Sequence, residues 1–530
     1  MPWLLLAAWG AILLKTLYIA GAVAIALYGL NALWLTLALW RQPRQIDPPA
    51  QEANWPQVTV QLPIYNERHV VTRLVNAVAS LDYPRDRLQI QILDDSDDDT
   101  TTLADSAAAE WQRNGVNVVV VRRAQRSGFK AGALAHALKS ARGDFIAIFD
   151  ADFLPQPDFL QRVIPTFLRE GNSDVAFVQA RWAHINRNYS PLTRAQALAL
   201  DGHFGVEQPA RRAAGYAFGF NGSAGIWRRT TIESAAVGGW SADTLCEDLD
   251  LAYRAQLAGW RGDFVEQVAA PAEVPPQLVA FKRQQARWAQ GSVQTLRKLG
   301  GRVWQSGWPL PKRTAALAHL GNYLIHPMLL MMVLVTVPLV LLNVPIPPPL
   351  AALSLASLGP PLLYGVSQRR LHPNTWTGNF LALPLLMLLG MGLSLGNTIA
   401  VGKGLRKKGG NFARTPKFHV QRSADEWRQS SYRLPVSRET LLEGLLALYA
   451  TLGVAGALHW GNIWAAAFLS LFALGFGLMF GVELWQSRAP RRPALRPPAP
   501  PPASTRLVRQ RARPAAAYVR SGDERNNGAD

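Results

Sequence analysis

The chain has 530 residues, 49% of them hydrophobic, yet its mean hydropathy is only +0.02, which excludes a bundle of membrane helices from end to end. Lys plus Arg number 55 against 36 Asp plus Glu, a net charge of +19. Nucleic acid is the naive partner for such a charge, but the excess flanks apolar segments in the positive-inside pattern, so a lipid bilayer is expected as a partner and nucleic acid is not. The single cysteine, Cys246, excludes an intrachain disulfide and a cysteine-based zinc cluster.

In chain order, Met1 to Trp40 is nearly all apolar, interrupted by Lys15 and followed by Arg41 and Arg44. A signal peptide would carry its charge first and a cleavage site after. The segment 1–40 therefore reads as an N-terminal membrane helix, spanning over about 16–40 with a lead-in lying in the interface. Strand-like runs follow at VTVQLPI (58–64), LQIQILDD (88–95), VNVVVV (116–121), DFIAIFDAD (144–152) and DVAFVQAR (174–181), with helical patterns between them such as Val70 to Ser80 and Phe129 to Ser140. Alternating strand and helix predict an α/β domain over 55–280 with a mostly parallel sheet.

Residues 281–312 read as interfacial amphipathic helices, and 313–484 as a membrane bundle. Its apolar stretches at about 315–343, 350–366, 441–459 and 462–484 are expected to cross. Residues 379–401 contain Pro384, Gly390, Gly392 and Gly396, with Arg369 and Arg370 before and Lys403 to Lys408 after. A crossing there would place one basic loop outside, so this segment is expected to be interfacial or re-entrant. Five crossings result, with the N-terminus outside and the α/β domain in the cytosol. The tail 487–530, with ten Arg and eight Pro, is expected to be disordered or extended.

Several short patterns carry chemistry, each with a plain structural alternative. Asp94-Asp95-Ser96 closes the second strand run, where ligands of open α/β sheets bind, or forms a capped polar turn. Asp150-Ala151-Asp152 follows a buried strand and can offer two carboxylates to a hard divalent cation that keeps sites for phosphate oxygens, or be an ordinary acidic turn. Lys130 stands at a helix start suited to a diphosphate, or is simply solvated there. The glycines between Gly215 and Gly225 allow close backbone approach or tight turns. Glu247-Asp248 opens a helix pattern, as cap or as general base. Gln284-Gln285-Ala286-Arg287-Trp288 offers donors and a flat apolar face for a sugar ring, or an interfacial anchor.

Taken together these residues resemble the family 2 glycosyltransferases of the cellulose-synthase-like superfamily, whose pattern is Asp, Asp-x-Asp, Glu-Asp and Gln-x-x-Arg-Trp in that order. The likeness covers about 55–420 and includes Pro63-Ile64-Tyr65-Asn66-Glu67, Lys130-Ala131-Gly132-Ala133-Leu134 and Phe220-Asn221-Gly222. It is closest in flavour to the plant mannan-synthase and xyloglucan-glucan-synthase branch, which has bacterial homologues. Cys246 stands where Thr is usual and Asn221 where cellulose synthases often have Cys.

The resemblance implies a GT-A (Rossmann-like) domain inserted between transmembrane helices. It implies Tyr65, Glu67 and Asp94 or Asp95 at the nucleoside, Lys130 at the diphosphate, and Asp150 and Asp152 at a Mg²⁺ or Mn²⁺ ion. Gln284 and Arg287 would hold the nucleotide, and Trp288, with Asn221 and Gly222, the acceptor. Asp248 would be the base and Glu247 would shape its surroundings. Residues 410–420, with Phe412-Ala413-Arg414-Thr415-Pro416-Lys417, resemble the superfamily's gating loop or form a basic juxtamembrane loop.

Two functions follow from the resemblance. One is an inverting, processive transferase of the inner or plasma membrane that moves hexose from UDP-glucose or GDP-mannose to a growing β-linked polysaccharide, with accessory export proteins as further partners. The other is a single-addition transferase acting on a lipid acceptor. A transporter with a regulatory domain would leave the acidic residues without a task. Every enzymatic reading requires Asp150, Asp152, Asp248 and Trp288 to open into one cleft.

Overall fold

Seven strands form one sheet: β1 (Val58–Ile64), β2 (Leu88–Asp94), β3 (Val118–Val121), β4 (Phe145–Ile148), β5 (Val175–His184), β6 (Gly225–Arg228) and β7 (Arg261–Ala272). The structure is a computed structural model that describes residues 2–40, 54–345, 348–410, 414–421, 425 and 427–488. The strand order is β3-β2-β1-β4-β6-β5-β7. β1 to β4 pair in parallel, β6 runs antiparallel to β4 and β5, and β7 is parallel to β5. The five expected strands are present in a mostly parallel sheet. β6 and β7 were not expected, since β6 has only four residues and β7, at the sheet edge, mixes Arg261, Asp263 and Glu266 into its apolar positions.

Period-two alternation builds a core on each face. Phe145 and Ala147 of β4 join Val60, Leu62, Ile90 and Ile92 on one side, while Ile146 and Ile148 join Phe177 and Trp227 on the other. An N-terminal helix, α1 (Pro2–Trp40), precedes the sheet. Helices α2 (Val71–Ala79) and α3 (Thr100–Arg113) cover the first face. On the second lies α4 (Phe129–Leu138), followed in the chain by α5 (Pro191–Gly202) and by α6 (Glu247–Leu257), which also packs there. Because Ile64 pairs with Asp94 and Gln61 with Ile148, the segments leaving β1, β2 and β4 emerge along one edge.

The amphipathic α7 (Leu278–Gln305) leads to α8 (Ile325–Leu341), α9 (Gly359–Leu371), α10 (Leu383–Gly392), α11 (Ser394–Arg406), α12 (Thr440–His459) and α13 (Ile463–Ser487). Among the described residues four helices are long and apolar enough to cross a membrane: Trp9–Leu39, Asn322–Leu341, Thr440–His459 and Ile463–Ser487. α1 is continuous from Pro2, so the apolar lead-in belongs to the same helix. The stretch 350–366 is not one spanning helix, because Gly359-Pro360-Pro361 separates a 3-10 segment, Pro348–Leu358, from the 13 residues of α9. Trp376–Gly392 and Ser394–Arg406 are bent by 49° across their break, as a broken span or a re-entrant loop. The tail beyond 488 lies outside the described residues.

One buried ion cluster ties α7 to the bundle. The Lys282 ammonium donates to Glu443 Oε2 at 2.9 Å, Glu483 Oε2 at 2.8 Å and Ser437 Oγ at 2.9 Å, and both carboxylates are fully enclosed. Deleting one member of such a cluster leaves unpaired buried charge. Lys282→Met is expected to cost about 3–5 kcal/mol, measured as a lower thermal midpoint in detergent. Adding Glu443→Gln and Glu483→Gln to that variant is expected to recover most of the loss.

Candidate active site

The turn into α4 passes through left-handed backbone at Gly128 (φ 71°) and Phe129 (φ 49°) and delivers Lys130 to the edge where β4 ends. Its Nζ donates to Asp150 Oδ1 at 2.6 Å and to Gly222 O at 2.8 Å, and lies 3.8 Å from Glu247 Oε1. The Asp150 N–H donates to Ser223 Oγ at 2.9 Å. Gly222 has φ 79°, and a Cβ there would come within 2.7 Å of Asp248 Oδ2 and 3.3 Å of Lys130 Nζ. Residues 130, 150, 222 and 248 therefore meet at one point.

Glu247 and Asp248 occupy the first turn of α6, where unpaired N–H groups favour anions, and the Leu249 N–H donates to Asp248 Oδ1 at 2.8 Å. Burial, and then the neighbouring Glu247, push the Asp248 carboxyl well above the usual carboxylate range. Burial raises Glu247 as well, against the pull of Lys130. Burial works against the charge on Lys130, but Asp150 and Glu247 outweigh it and raise the ammonium pKa. Asp152 is buried and accepts from Lys417 Nζ at 2.7 Å.

These groups line a cavity of about 170 Å³ with Tyr65, Glu67, Asp95, Asn221, Gln284, Arg287 and Trp288. Arg414, Thr415 and Lys417 of the 410–420 loop line it too, whereas residues 411–413 lie outside the described residues. Arg414 stands 3.0 Å from Glu67 Oε2. Burial pushes the Glu67 carboxyl up to about 8 although Arg414 and Lys417 oppose it. At the far end the Arg126 guanidinium covers the Tyr65 ring, 3.3 Å from its centroid, and Arg123 clasps both oxygens of Asp95 at 2.8 and 2.6 Å.

Asp94 corrects the sequence expectation: of all the candidate site residues it alone does not line the cavity. It is buried at the end of β2, where it accepts from Arg122 Nε at 3.0 Å and from the Ser96 N–H at 3.0 Å. Alternation along the strand turns neighbouring side chains to opposite sides, so of the pair only Asp95 reaches the cavity.

Gln284, Arg287 and Trp288 are spaced i, i+3, i+4 and share one face of α7. That helix is held against the approach to α6: Gln294 Oε1 accepts from the Leu245 N–H at 2.9 Å, and Lys298 pairs with Asp243 at 2.8 Å and Asp250 at 2.9 Å. Gly291 permits the contact, since a Cβ there would lie 2.7 Å from the Cys246 backbone nitrogen.

Sequence reasoning gave no role to Arg126, Trp182, His184 or Glu273, which also line the cavity. Glu273 follows β7, the strand not anticipated; its carboxyl is pushed up to about 7 by burial and accepts from the Phe418 N–H at 2.9 Å. Seven carboxyl groups face five Lys and Arg around the cavity, a surplus that favours a cation. Among the described residues no three His, Cys, Asp or Glu side chains are grouped to hold a metal by themselves. Asp150 and Asp152 fit a hard divalent ion that takes its other ligands from phosphate oxygens, and Lys130 and Lys417 are their present partners.

Residues 56–291 match the family model described as "Glycosyltransferase like family 2". The chain is 42% identical over 259 residues to a protein named "Probable glucomannan 4-beta-mannosyltransferase 15" from Arabidopsis thaliana, covering 48% of each. It is 42% identical over 257 residues to "Glucomannan 4-beta-mannosyltransferase 1" from Oryza sativa subsp. japonica, covering 48% of this chain and 49% of that one. The chain thus spans about half the length of these curated relatives. Among solved structures it resembles the mannosyltransferase PcManGT from Pyrobaculum calidifontis, in complex with GDP-Man and Mn²⁺. The TM-score is 0.52 at 23% identity over 74% of this chain and 99% of that one, which establishes a shared fold.

The raised Glu67 carboxyl has a measurable consequence. The native state holds its proton up to about pH 8, while the unfolded chain releases it near 4.5, so stability falls as pH rises between those values. Glu67→Gln is expected to flatten the decline in thermal midpoint across that window. Parallel pH profiles of both proteins would show whether it does.

Proposed function

We propose that this chain, whose residues 56–291 match the model of the glycosyltransferase-like family 2, is a membrane-embedded hexosyltransferase that extends a β-linked polysaccharide of the mannan or glucomannan type from a nucleotide-sugar donor. The observation that carries the reading is the meeting of Lys130, Asp150 and Asp248 around Gly222, in a cavity shared with Trp288. The names of the 42%-identical relatives support mannosyl as the sugar. Long apolar helices before and after the domain support an integral membrane protein that passes its product through the bilayer. The basic loops support a cytosolic catalytic side.

In this reading Tyr65, Glu67 and Asp95 receive the nucleoside, and Lys130 meets the diphosphate. Asp150 and Asp152 would hold Mg²⁺ or Mn²⁺, which neutralises diphosphate charge when bound. Asp248 accepts the proton of an acceptor hydroxyl as that oxygen attacks the anomeric carbon and the bond to the diphosphate breaks. Burial suits it to the task by bringing its pKa toward the working pH. Lys130 stabilises the negative charge that develops on the leaving diphosphate. A single displacement inverts configuration, so an α-linked donor yields a β-glycoside. Trp288 presents a flat face to the acceptor sugar, and enclosure of the cavity limits hydrolysis.

Asp248→Asn is expected to lower transfer by a factor of 10²–10⁴ while keeping donor affinity within a few-fold. Full-rate transfer by that variant rejects the base assignment. Incubation of the purified protein with GDP-mannose or UDP-glucose and Mg²⁺ or Mn²⁺ is expected to give a β-linked polymer, sized by chromatography. One sugar per lipid would instead identify a single-addition enzyme.

A further inference from the structure

Asn221 is held by a turn that takes no part in the chemistry of transfer. α5 runs on into a π-helical turn, His203–Glu207, a widened geometry frequent at functional positions, and Gln208 follows it. Asn221 lines the cavity and immediately precedes Gly222, around which Lys130 and Asp248 meet. Its backbone N–H donates to Gln179 Oε1 at 2.8 Å. The turn grips its side chain: Gln208 Nε2 donates to Asn221 Oδ1 at 2.7 Å, and Asn221 Nδ2 lies 3.0 Å from His203 Nε2. His203 Nδ1 in turn lies 2.8 Å from Glu207 Oε2.

The ends of this chain of contacts fix its protons. Gln208 Nε2 also donates to the Gly219 carbonyl at 3.1 Å, which can only accept, so the nitrogen of Gln208 faces Asn221 and meets its oxygen. The other Asn221 atom is then the amide nitrogen, which donates, and His203 Nε2 must accept. From the opposite end, burial opposes the charge on Glu207, but the bond to His203 outweighs it and lowers the carboxyl pKa. A carboxylate only accepts, so His203 carries its proton on Nδ1. Both ends demand the same tautomer. One Asn221 amide hydrogen is thereby committed to His203, and the other has no partner among the described residues.

We propose that Glu207 and His203 are positioning residues for the acceptor sugar: they lock the Asn221 amide in one orientation, with its remaining N–H available to a hydroxyl of the pyranose being extended. The assignment rests on the transferase reading and deepens it by naming the groups that orient an acceptor contact. The relay stands on the side of the site that carries Trp288. Cys246 and Glu207 both bear electrostatically on the Tyr323 phenol, whose hydroxyl donates to Gln285 Oε1 of α7 at 3.4 Å. An amide freed from His203 can turn over and offer its carbonyl in place of the N–H, and a hydroxyl oxygen poised to accept then meets an acceptor.

The test uses the full-length protein in lipid nanodiscs, with GDP-mannose or UDP-glucose as donor and β-1,4-linked mannotetraose or cellotetraose as acceptor. Asn221→Ala is expected to raise the acceptor KM about tenfold, the equivalent of one hydrogen bond, with His203→Phe close behind and GDP and UDP affinities within about twofold in both. His203→Gln, whose carbonyl accepts from Asn221, is expected to recover most of the loss. The decisive comparison places His203→Phe in the Asn221→Ala background. No further rise beyond about twofold is expected there, because a residue that acts only through Asn221 has nothing left to position. The proposal is overturned if His203→Phe keeps the wild-type acceptor KM, if the two losses multiply, or if nucleotide affinity falls as far as acceptor KM rises. Should His203→Phe lose the fold, the same cycle with Glu207→Leu, which releases the imidazole proton from Nδ1, decides by the same outcomes. If the wild-type protein extends neither tetraose with either donor, the transferase reading fails and this assignment with it.

Discussion

The site is built around one buried ammonium. Lys130 reaches from the first turn of α4 to the carboxylate that follows β4, the carbonyl of Gly222 and the first acid of α6. Charges removed from water persist only when they are paired and hydrogen-bonded, so this contact forces three distant segments to arrive together. Gly222 is part of the same constraint, because its missing side chain is the space in which Asp248 and Lys130 approach each other. Lys417 repeats the arrangement on Asp152 from the far side of the chain, so both acids of Asp150-Ala151-Asp152 are held by lysines.

Such crowding sets the chemistry. Glu67, Asp248 and Glu273 are each raised by burial, while Lys130 and Lys417 are raised by the acids around them. A cavity with an excess of carboxyl groups favours cationic charge, and burial moves its acids up toward neutral pH.

The membrane-facing half serves this site through α7. Its polar positions are fixed at both ends, by Lys282 among Glu443 and Glu483 and by Gln294 and Lys298 against the approach to α6. Between those anchors lie Gln284, Arg287 and Trp288. The helix therefore links the apolar bundle to the wall of the cavity, with no loop between to blur the distance.

Much of this was legible in the residues. Alternating apolar runs identified five strands because period-two burial leaves a local trace, and Asp150, Asp152, Asp248 and Trp288 stood out because an acidic turn after a strand, an acid pair opening a helix and a Trp beside Gln and Arg fall in one ordered pattern. β6 and β7 left no such trace: one is too short to alternate and the other borrows its pairing from β5 rather than from its own composition. The break at Gly359-Pro360-Pro361 was written in the sequence, but hydropathy averages over it. Local pattern thus determined the fold class, four of the long apolar helices and the order of the chemical groups. Only the tertiary structure decided that Asp95 faces the cavity and Asp94 does not, that Lys130 and Lys417 hold the acidic turn, and that Glu273 belongs to the site. Those outcomes depend on which distant segments share a low-dielectric space, and pairing of that kind has no period along the chain.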